Sequence, residues 1–395
     1  MKTKLVIFGI TGDLSRRKLL PALSEIAKTG DFEDLSIVGV SRRDVDVPEL
    51  LSNQPELIDR TSIFSMDLAE AGDYIRLRDF LGLVSGEQAV VYLSVPPSAA
   101  ADIVDFLGQA GLNTPNVKIL FEKPFGFDLA SAKEVIERTS RYFSESQLYR
   151  IDHYMAKDVA QEIIRLRRNA ENHHHGWGKD SIQSIEVVAS EAIGIEGRGV
   201  FYEQTGALRD FIQGHLLQLL SLMLMDVPAD FPLSELSRYR LGALNHVQPA
   251  DASKAVRAQY EGYQQEAGNI GSVTETFATL RLESDHQRWL GVPLTLTTGK
   301  NLAEKKTFIA VTYKDGSKDI FEEGAQVTNK RLPDAYERVL VESITGRKSI
   351  FTTSDEVLRS WEIVAPIQEA WSMGSEPLLL YKPGTRYNAN PLHIA

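Results

Sequence analysis

One short stretch, Arg150-Ile151-Asp152-His153-Tyr154-Met155-Ala156-Lys157-Asp158, sets an acid, an imidazole, a phenol and an ammonium side by side. The run Gln147–Ile151 reads as a strand arriving at it, and Val159–Leu166 as a helix leaving it. A helix N-terminus offers unpaired N–H groups and the positive end of the helix dipole, which suits an anion such as phosphate. His153 and Lys157 are four apart and share a face if that first turn is helical. Asp152 cannot hold an anion and needs another task, such as orienting a second histidine. A salt-bridged knot between domains explains the same residues equally well at this point.

Further candidates lie later in the chain. His215 falls inside a long apolar helical pattern, Thr205 to Leu220, together with Arg209 and Asp210. Taken alone, such residues are more often a satisfied core histidine and an internal ion pair than a catalyst and a ligand. The glycine-rich run Glu191–Gly199 reads as a loop able to present Glu191 to a polyol. Gly299–Lys306, with Lys300 and Lys305, is a local basic patch in an acidic protein. Lys123 follows the strand pattern Val117–Phe121 and projects from a strand's carboxyl end, where doubly wound folds bind ligands. Mere capping of the strand is the alternative there. His173-His174-His175 point in different directions with no partner cluster, and read as a solvated loop without metal.

The elements that must position these groups divide the chain in two. Lys4–Phe8 is a buried-strand pattern, followed by Gly9-Ile10-Thr11-Gly12-Asp13-Leu14 and a helical pattern over Lys18–Leu23. Strand, glycine turn and helix form the opening of a dinucleotide-binding unit, in which Gly9 and Gly12 let backbone approach a pyrophosphate. A tight turn of any α/β protein fits the same residues. The strand Leu35–Val40 ends in Ser41-Arg42-Arg43, where NAD-preferring folds carry an acid. Arginine there suits the 2′-phosphate of NADP, because a guanidinium pairs with phosphate bidentately; two solvated arginines are the plain alternative. Strands at Ala89–Ser94 and Val117–Phe121 flank a helix over Ala100–Leu107, the alternation of a parallel sheet covered on both faces. From Ile182 onward the pattern turns strand-rich: Ile182–Ala189, Val273–Leu282, Val292–Thr298 and Thr307–Tyr313, with helices over Tyr336–Ile344 and Asp355–Ile363. This second part is α+β. The boundary is expected near residue 150, giving 1–150 and 151–395.

Composition narrows the function. A net charge of −11 argues against nucleic acid as partner, so any anionic ligand needs a local basic pocket. The absence of cysteine excludes disulfides, thiolate metal sites and cysteine nucleophiles, and fits a reducing cytoplasm. No run approaches the roughly 20 apolar residues of a membrane span, and the N-terminal apolar run is too short for a signal peptide. With 395 residues the chain exceeds a single core.

Together these residues resemble the glucose-6-phosphate dehydrogenase family. The resemblance is carried by Gly9–Leu14, Glu122-Lys123-Pro124-Phe125-Gly126, Arg150 to Lys157, Glu196-Gly197-Arg198-Gly199, Thr205 to Gln218, Gly299-Lys300 and Leu332–Arg338. It implies a Rossmann-like doubly wound parallel sheet followed by an α+β domain with a large, mainly antiparallel sheet. The implied activity is oxidation of glucose 6-phosphate at C1 to 6-phosphogluconolactone, the opening of the oxidative pentose phosphate pathway, with NADP and more weakly NAD. His215 is then similar to the general base and Asp152 to its orienting partner. His153, Tyr154, Lys157, Glu191, Asp210, Lys300 and Lys305 resemble the sugar phosphate's ligands, and Lys123 a bridge between sugar and nicotinamide. Gly9, Thr11, Gly12, Asp13, Leu14 and Arg42 match the cofactor site, with Thr11 and Arg42 at positions that contact the 2′-phosphate. Three departures stand out: Met155-Ala156 and Asp158 replace the usual leucine-glycine and glutamate, the chain is shortened between Lys305 and Leu332, and its end after Leu380 is short and divergent. The shortening removes strands that family members use to dimerise, and a dimer remains the expected oligomer. A dehydrogenase of another hexose phosphate, or a catalytically silent truncated homologue, is the competing reading.

Overall fold

The computed structural model describes residues 2–169, 176–324, 331–374 and 377–386. Asn172–His175, which carry the three adjacent histidines, and the last residues of the chain lie outside them. Two packed units share the chain. One comprises Met1–Gly126, Ala130–Ala156 and Lys330–Ser354, the other Phe127–Leu129, Lys157–Asn329 and Asp355–Ala395.

In the first unit, β1 (Lys2–Phe8), β2 (Leu35–Ser41), β3 (Thr61–Ser65), β4 (Glu87–Leu93), β5 (Val117–Phe121) and β6 (Leu148–Ile151) form one sheet in the order β3, β2, β1, β4, β5, β6. All of these pair in parallel. A two-residue strand, Phe351–Thr352, adds antiparallel to β6. Leu5, Val6, Ile7 and Phe8 are all fully buried, so β1 is the centre of the sheet, as its unbroken apolar run requires. Helices Leu20–Thr29, Ala71–Leu81 and Pro97–Gln109 supply the crossover connections between these parallel strands, as in a doubly wound fold. The strand order reverses between β1 and β4, which puts the ligand crevice of such a sheet at their carboxyl ends.

The second unit holds β7 (Ile182–Ser190), β8 (Ala255–Tyr260), β9 (Phe277–Leu282), β10 (Leu294–Gly299), β11 (Lys306–Tyr313) and β12 (Lys318–Glu322). Its sheet runs β12, β11, β7, β10, β9, β8, then Leu378–Tyr381. Only β10 with β7, and the last strand with β8, are parallel; the other pairs are antiparallel. No helix among the described residues is long and apolar enough to cross a membrane.

Two local expectations are corrected. The helix expected unbroken from Thr205 is interrupted at Gly206, whose φ of 58° and ψ of −176° end one helix (Gly199–Ala207) and let another begin. The restarted helix runs over Leu208–Leu216 and on through Leu217–Leu224. Its first N–H groups are met by one residue: Ala207 donates to the Glu275 carbonyl and Leu208 to Glu275 Oε1, both at 2.9 Å. This also explains why the strand expected from Val273 starts only at Phe277: Glu275 is engaged with the helix and not with a neighbouring strand. A β-carbon at position 206 would run into the Glu275 carboxylate, and its positive φ disfavours any L side chain. Gly206→Ala is therefore expected to destabilise the protein by about 1–3 kcal/mol, read as a lower urea midpoint at an unchanged slope.

Candidate functional site

The glycine turn of the first unit is built by close backbone approach. Gly9 has φ 79°, Gly12 N–H donates to its carbonyl at 2.9 Å, and a Cβ on Gly9 would overlap the Ser94 carbonyl oxygen at the end of β4. Ser15 Oγ hydrogen-bonds the Gly9 carbonyl at 2.9 Å and lies 3.1 Å from Ser94 Oγ. The turn is thus pinned across the switch point, with Thr11 and Asp13 exposed and Leu14 half-buried beside it. Arg42 is exposed immediately beyond β2. A glycine cradle that no side chain fills, with a guanidinium at the end of the second strand, fits an adenine dinucleotide.

At the carboxyl end of β5 and β6 a second group gathers. Asp152 is 2 % exposed and its Oδ1 accepts the Tyr154 N–H at 3.0 Å. Met155 and Ala156 N–H donate back to the carbonyls of Asp152 and His153, so residues 152–156 form turns rather than the first turn of the helix. Lys157, with ψ of 159°, stands at the N-cap position of that helix, Asp158–Arg168, and forms no side-chain cap bond there. The shared helical face expected of His153 and Lys157 is therefore absent, because the helix begins only after the lysine. The His153 ring meets Tyr154 edge-on at 5.0 Å and stacks on Tyr336 at 6.4 Å.

Sequence reasoning passed over a buried partner of this group. Tyr92, fully buried on β4, donates a short hydrogen bond to Glu122, the neighbour of Lys123. Loss of solvent pushes the Glu122 carboxyl up to about 7; the Tyr92 hydrogen bond and the Lys123 ammonium oppose this, and the Asp152 charge adds to it. Nothing in the spacing of Tyr92 and Glu122 announces their pairing; only the register of β4 against β5 brings them together.

In the second unit, strand pairing does the positioning. β7 and β10 run parallel with Ser190 opposite Gly299, so the next residues of each, Glu191 and Lys300, emerge side by side. Lys300 is only 4 % exposed, bonded to Glu191, 3.9 Å from Asp210 Oδ2, and over the rings of Tyr202 and Phe211 at 5.1 and 5.7 Å. A buried ammonium is tolerable only with such partners. The helix restarted after Gly206 packs on β7, β9 and β10 and carries both Asp210 and His215. His215 is 4 % exposed, its ring edge-on to Phe211 at 5.7 Å. Lys305 is exposed just before β11, one residue beyond the Lys306–Ser190 pair. One sheet end therefore collects Glu191, Asp210, His215, Lys300 and Lys305, and the aromatic floor of Tyr202 and Phe211 beneath Lys300 carries no signal in the sequence pattern. Among the described residues no group of three or more histidines and carboxylates is placed to hold a metal ion.

Residues 6–162 match the glucose-6-phosphate dehydrogenase NAD binding domain, and 164–332 and 321–391 match the C-terminal domain of the same family. The chain belongs to the glucose-6-phosphate dehydrogenase family. Glucose-6-phosphate 1-dehydrogenase of Dickeya dadantii is 32% identical over 460 aligned positions, covering 96% of this chain and 94% of the relative. That of Chlamydia muridarum is 31% identical, covering 93% and 90%. A solved glucose-6-phosphate dehydrogenase in complex with its substrate superposes with a TM-score of 0.90 at 26% identity, over all of this chain and 96% of the other. The enzyme from Mycobacterium avium gives 0.84 at 30%, over 97% and 94%. An alignment of 460 positions is longer than this 395-residue chain, so these family members carry residues that it lacks. The two C-terminal matches meet over 321–332, inside the stretch where the shortening is expected.

Glu122 makes a family motif residue testable by its proton. Its folded pKa of about 7 exceeds the ordinary 4.5, so between those values the folded state binds more protons than the unfolded one. Stability therefore falls as pH rises through that window, and the loss is complete above it. Glu122→Gln should flatten this decline: urea midpoints taken at about pH 5 and about pH 8 should differ less in the variant than in the wild type.

Proposed function

We propose that this chain oxidises glucose 6-phosphate at C1, with NADP as the preferred acceptor and NAD a weaker one, releasing 6-phosphogluconolactone into the oxidative pentose phosphate pathway. The observation that carries the reading is the cluster around Lys300: a buried ammonium held by Glu191 and Asp210, on the same sheet end as a buried histidine. Two carboxylates and an ammonium are the groups that hydrogen-bond a polyol, and an imidazole titrates near neutral pH. Residues 1–150 are read as the dinucleotide-binding domain and 151–395 as the substrate and oligomerisation domain, in a dimer, although the packed first unit also takes in Lys330–Ser354.

Bound NADP supplies the hydride acceptor. The chain's own residues bind, orient and move a proton. His215 takes the proton of the C1 hydroxyl on an imidazole nitrogen as the C1–H bond breaks, so the alkoxide never forms free. Asp152 is assigned on the family pattern as its partner, stabilising the imidazolium and fixing the ring. Glu191, Asp210, Lys300 and Lys305 hold the sugar hydroxyls, His153, Tyr154 and Lys157 take the phosphate, and Lys123 bridges sugar and nicotinamide. Gly9, Gly12, Asp13 and Leu14 shape the pyrophosphate turn. Thr11 and Arg42 meet the 2′-phosphate; the place of Arg42 at the end of the second strand supports this.

Two measurements test the assignment. His215→Asn is expected to lower kcat by about three decades or more while substrate Kd stays within roughly tenfold, because the base acts mainly in the transition state. A normal kcat with a depressed thermal midpoint would instead mark a structural histidine. Arg42→Ala is expected to raise KM for NADP by about tenfold or more and to leave that for NAD nearly unchanged. Equal losses with both cofactors refute the 2′-phosphate contact.

A further inference from the structure

The helix that begins after Lys157 lacks a cap of its own. Lysine has no side-chain oxygen to accept an N–H of the first turn, and no side-chain cap bond is formed at Lys157. The acceptor comes instead from far along the chain: Val159 N–H donates to Glu323 Oε2 at 3.2 Å. Glu323 follows β12 directly, and its own N–H is tied to the Thr307 carbonyl at 2.9 Å. The residue before it, Glu322, faces Phe308 across the β11–β12 pair and bridges to Lys306 at 3.2 Å. The helix Asp158–Arg168 packs against this same β12. All these groups belong to the second unit.

We propose that Glu323 is the cap of the Lys157 helix and therefore a positioning residue for the substrate's phosphate. The proposal rests on the reading of Lys157 as a phosphate ligand. It concerns a stretch in which this chain departs from its relatives, since the two C-terminal family matches meet over residues 321–332. A carboxylate on the positive end of the helix neutralises the amide an incoming phosphate oxygen could have used. The phosphate is then left to the side chains of His153, Tyr154 and Lys157. What Glu323 supplies is a fixed start to the helix, and so a fixed origin for the Lys157 side chain.

The test compares Glu323→Ala and Glu323→Gln with Lys157→Ala in the full-length enzyme, by steady-state kinetics and thermal unfolding. Glu323→Ala is expected to raise KM for glucose 6-phosphate roughly three- to tenfold, the range a lost helix cap produces. Its kcat and its KM for NADP should stay within about twofold. Glu323→Gln keeps an oxygen acceptor and should return KM to within about twofold of the wild type. Folded Glu323→Ala with an unchanged KM overturns the proposal, as does a KM lowered in Glu323→Gln, which would mean that the carboxylate merely repels the phosphate. Should Glu323→Ala fail to fold, Glu323→Asp serves in its place, because the shorter side chain withdraws the carboxylate from Val159. An unchanged KM in Lys157→Ala would overturn the phosphate reading itself, and the cap with it. A normal Lys157→Ala defect beside an unaffected Glu323→Ala removes the cap alone.

Discussion

The parallel pairing of β7 with β10 is the constraint on which the buried charge cluster of the second unit depends. It is an exception in a mainly antiparallel sheet. Because both strands run the same way, their C-terminal residues leave the sheet together, and an acid and a base become neighbours without any contact between their sequences. Had β10 run antiparallel to β7, Glu191 and Lys300 would have emerged at opposite ends of the sheet. Lys300 would then be buried without a counter-charge, a state that costs several kcal/mol. The Tyr202 and Phe211 rings reinforce the arrangement by offering the ammonium their negative faces.

The second device is the break at Gly206. A single uninterrupted helix would carry Asp210 and His215 wherever the Gly199–Ala207 segment happened to aim them. The break lets the later helix take its own direction, and Glu275 fixes where it starts. Glu275 is buried and its carboxyl is held above the usual range, chiefly by that burial, yet two backbone N–H groups anchor it. The start of the helix that carries Asp210 and His215 is thus set from a loop more than sixty residues later in the chain.

Much of this was legible in the residues. β1, β2, β5, β7 and β11 declared themselves because buried strands read as apolar or alternating runs, and the glycine turn because backbone approach at a switch point tolerates no side chain. Glu191, Asp210, His215 and Lys300 could be named, and the structure brings them to one sheet end. What stayed hidden has a common physical cause. Gly206 sits in an apolar helical pattern, where a glycine is tolerated at small cost, so the pattern gave no sign of a break. Tyr92 with Glu122, Glu275 with Leu208, and Glu323 with Val159 are pairs made by tertiary register, and no local period encodes them. The helical face shared by His153 and Lys157 failed for a related reason: Asp152 and His153 turn the chain first, and their carbonyls take the N–H groups that a helix would have used.

The strand Phe351–Thr352 has a consequence for the order in which the protein can be assembled. It closes the edge of β6, and the helix Ala335–Thr345 ahead of it is held to the first unit by Lys118 and Gln88, which donate to the carbonyls of Ser343 and Ile344. A ribosome emits β6 long before it emits those residues, with most of the second unit lying between. Until then the nascent first unit presents β6 as an open hydrogen-bonding edge, the kind of surface that recruits stray strands. The dinucleotide fold at the front of this chain is finished by a segment near its back, so its maturation is a late and long-range event, slow by the measure of contact order, and a chain cut anywhere before Thr352 would leave its first sheet unfinished.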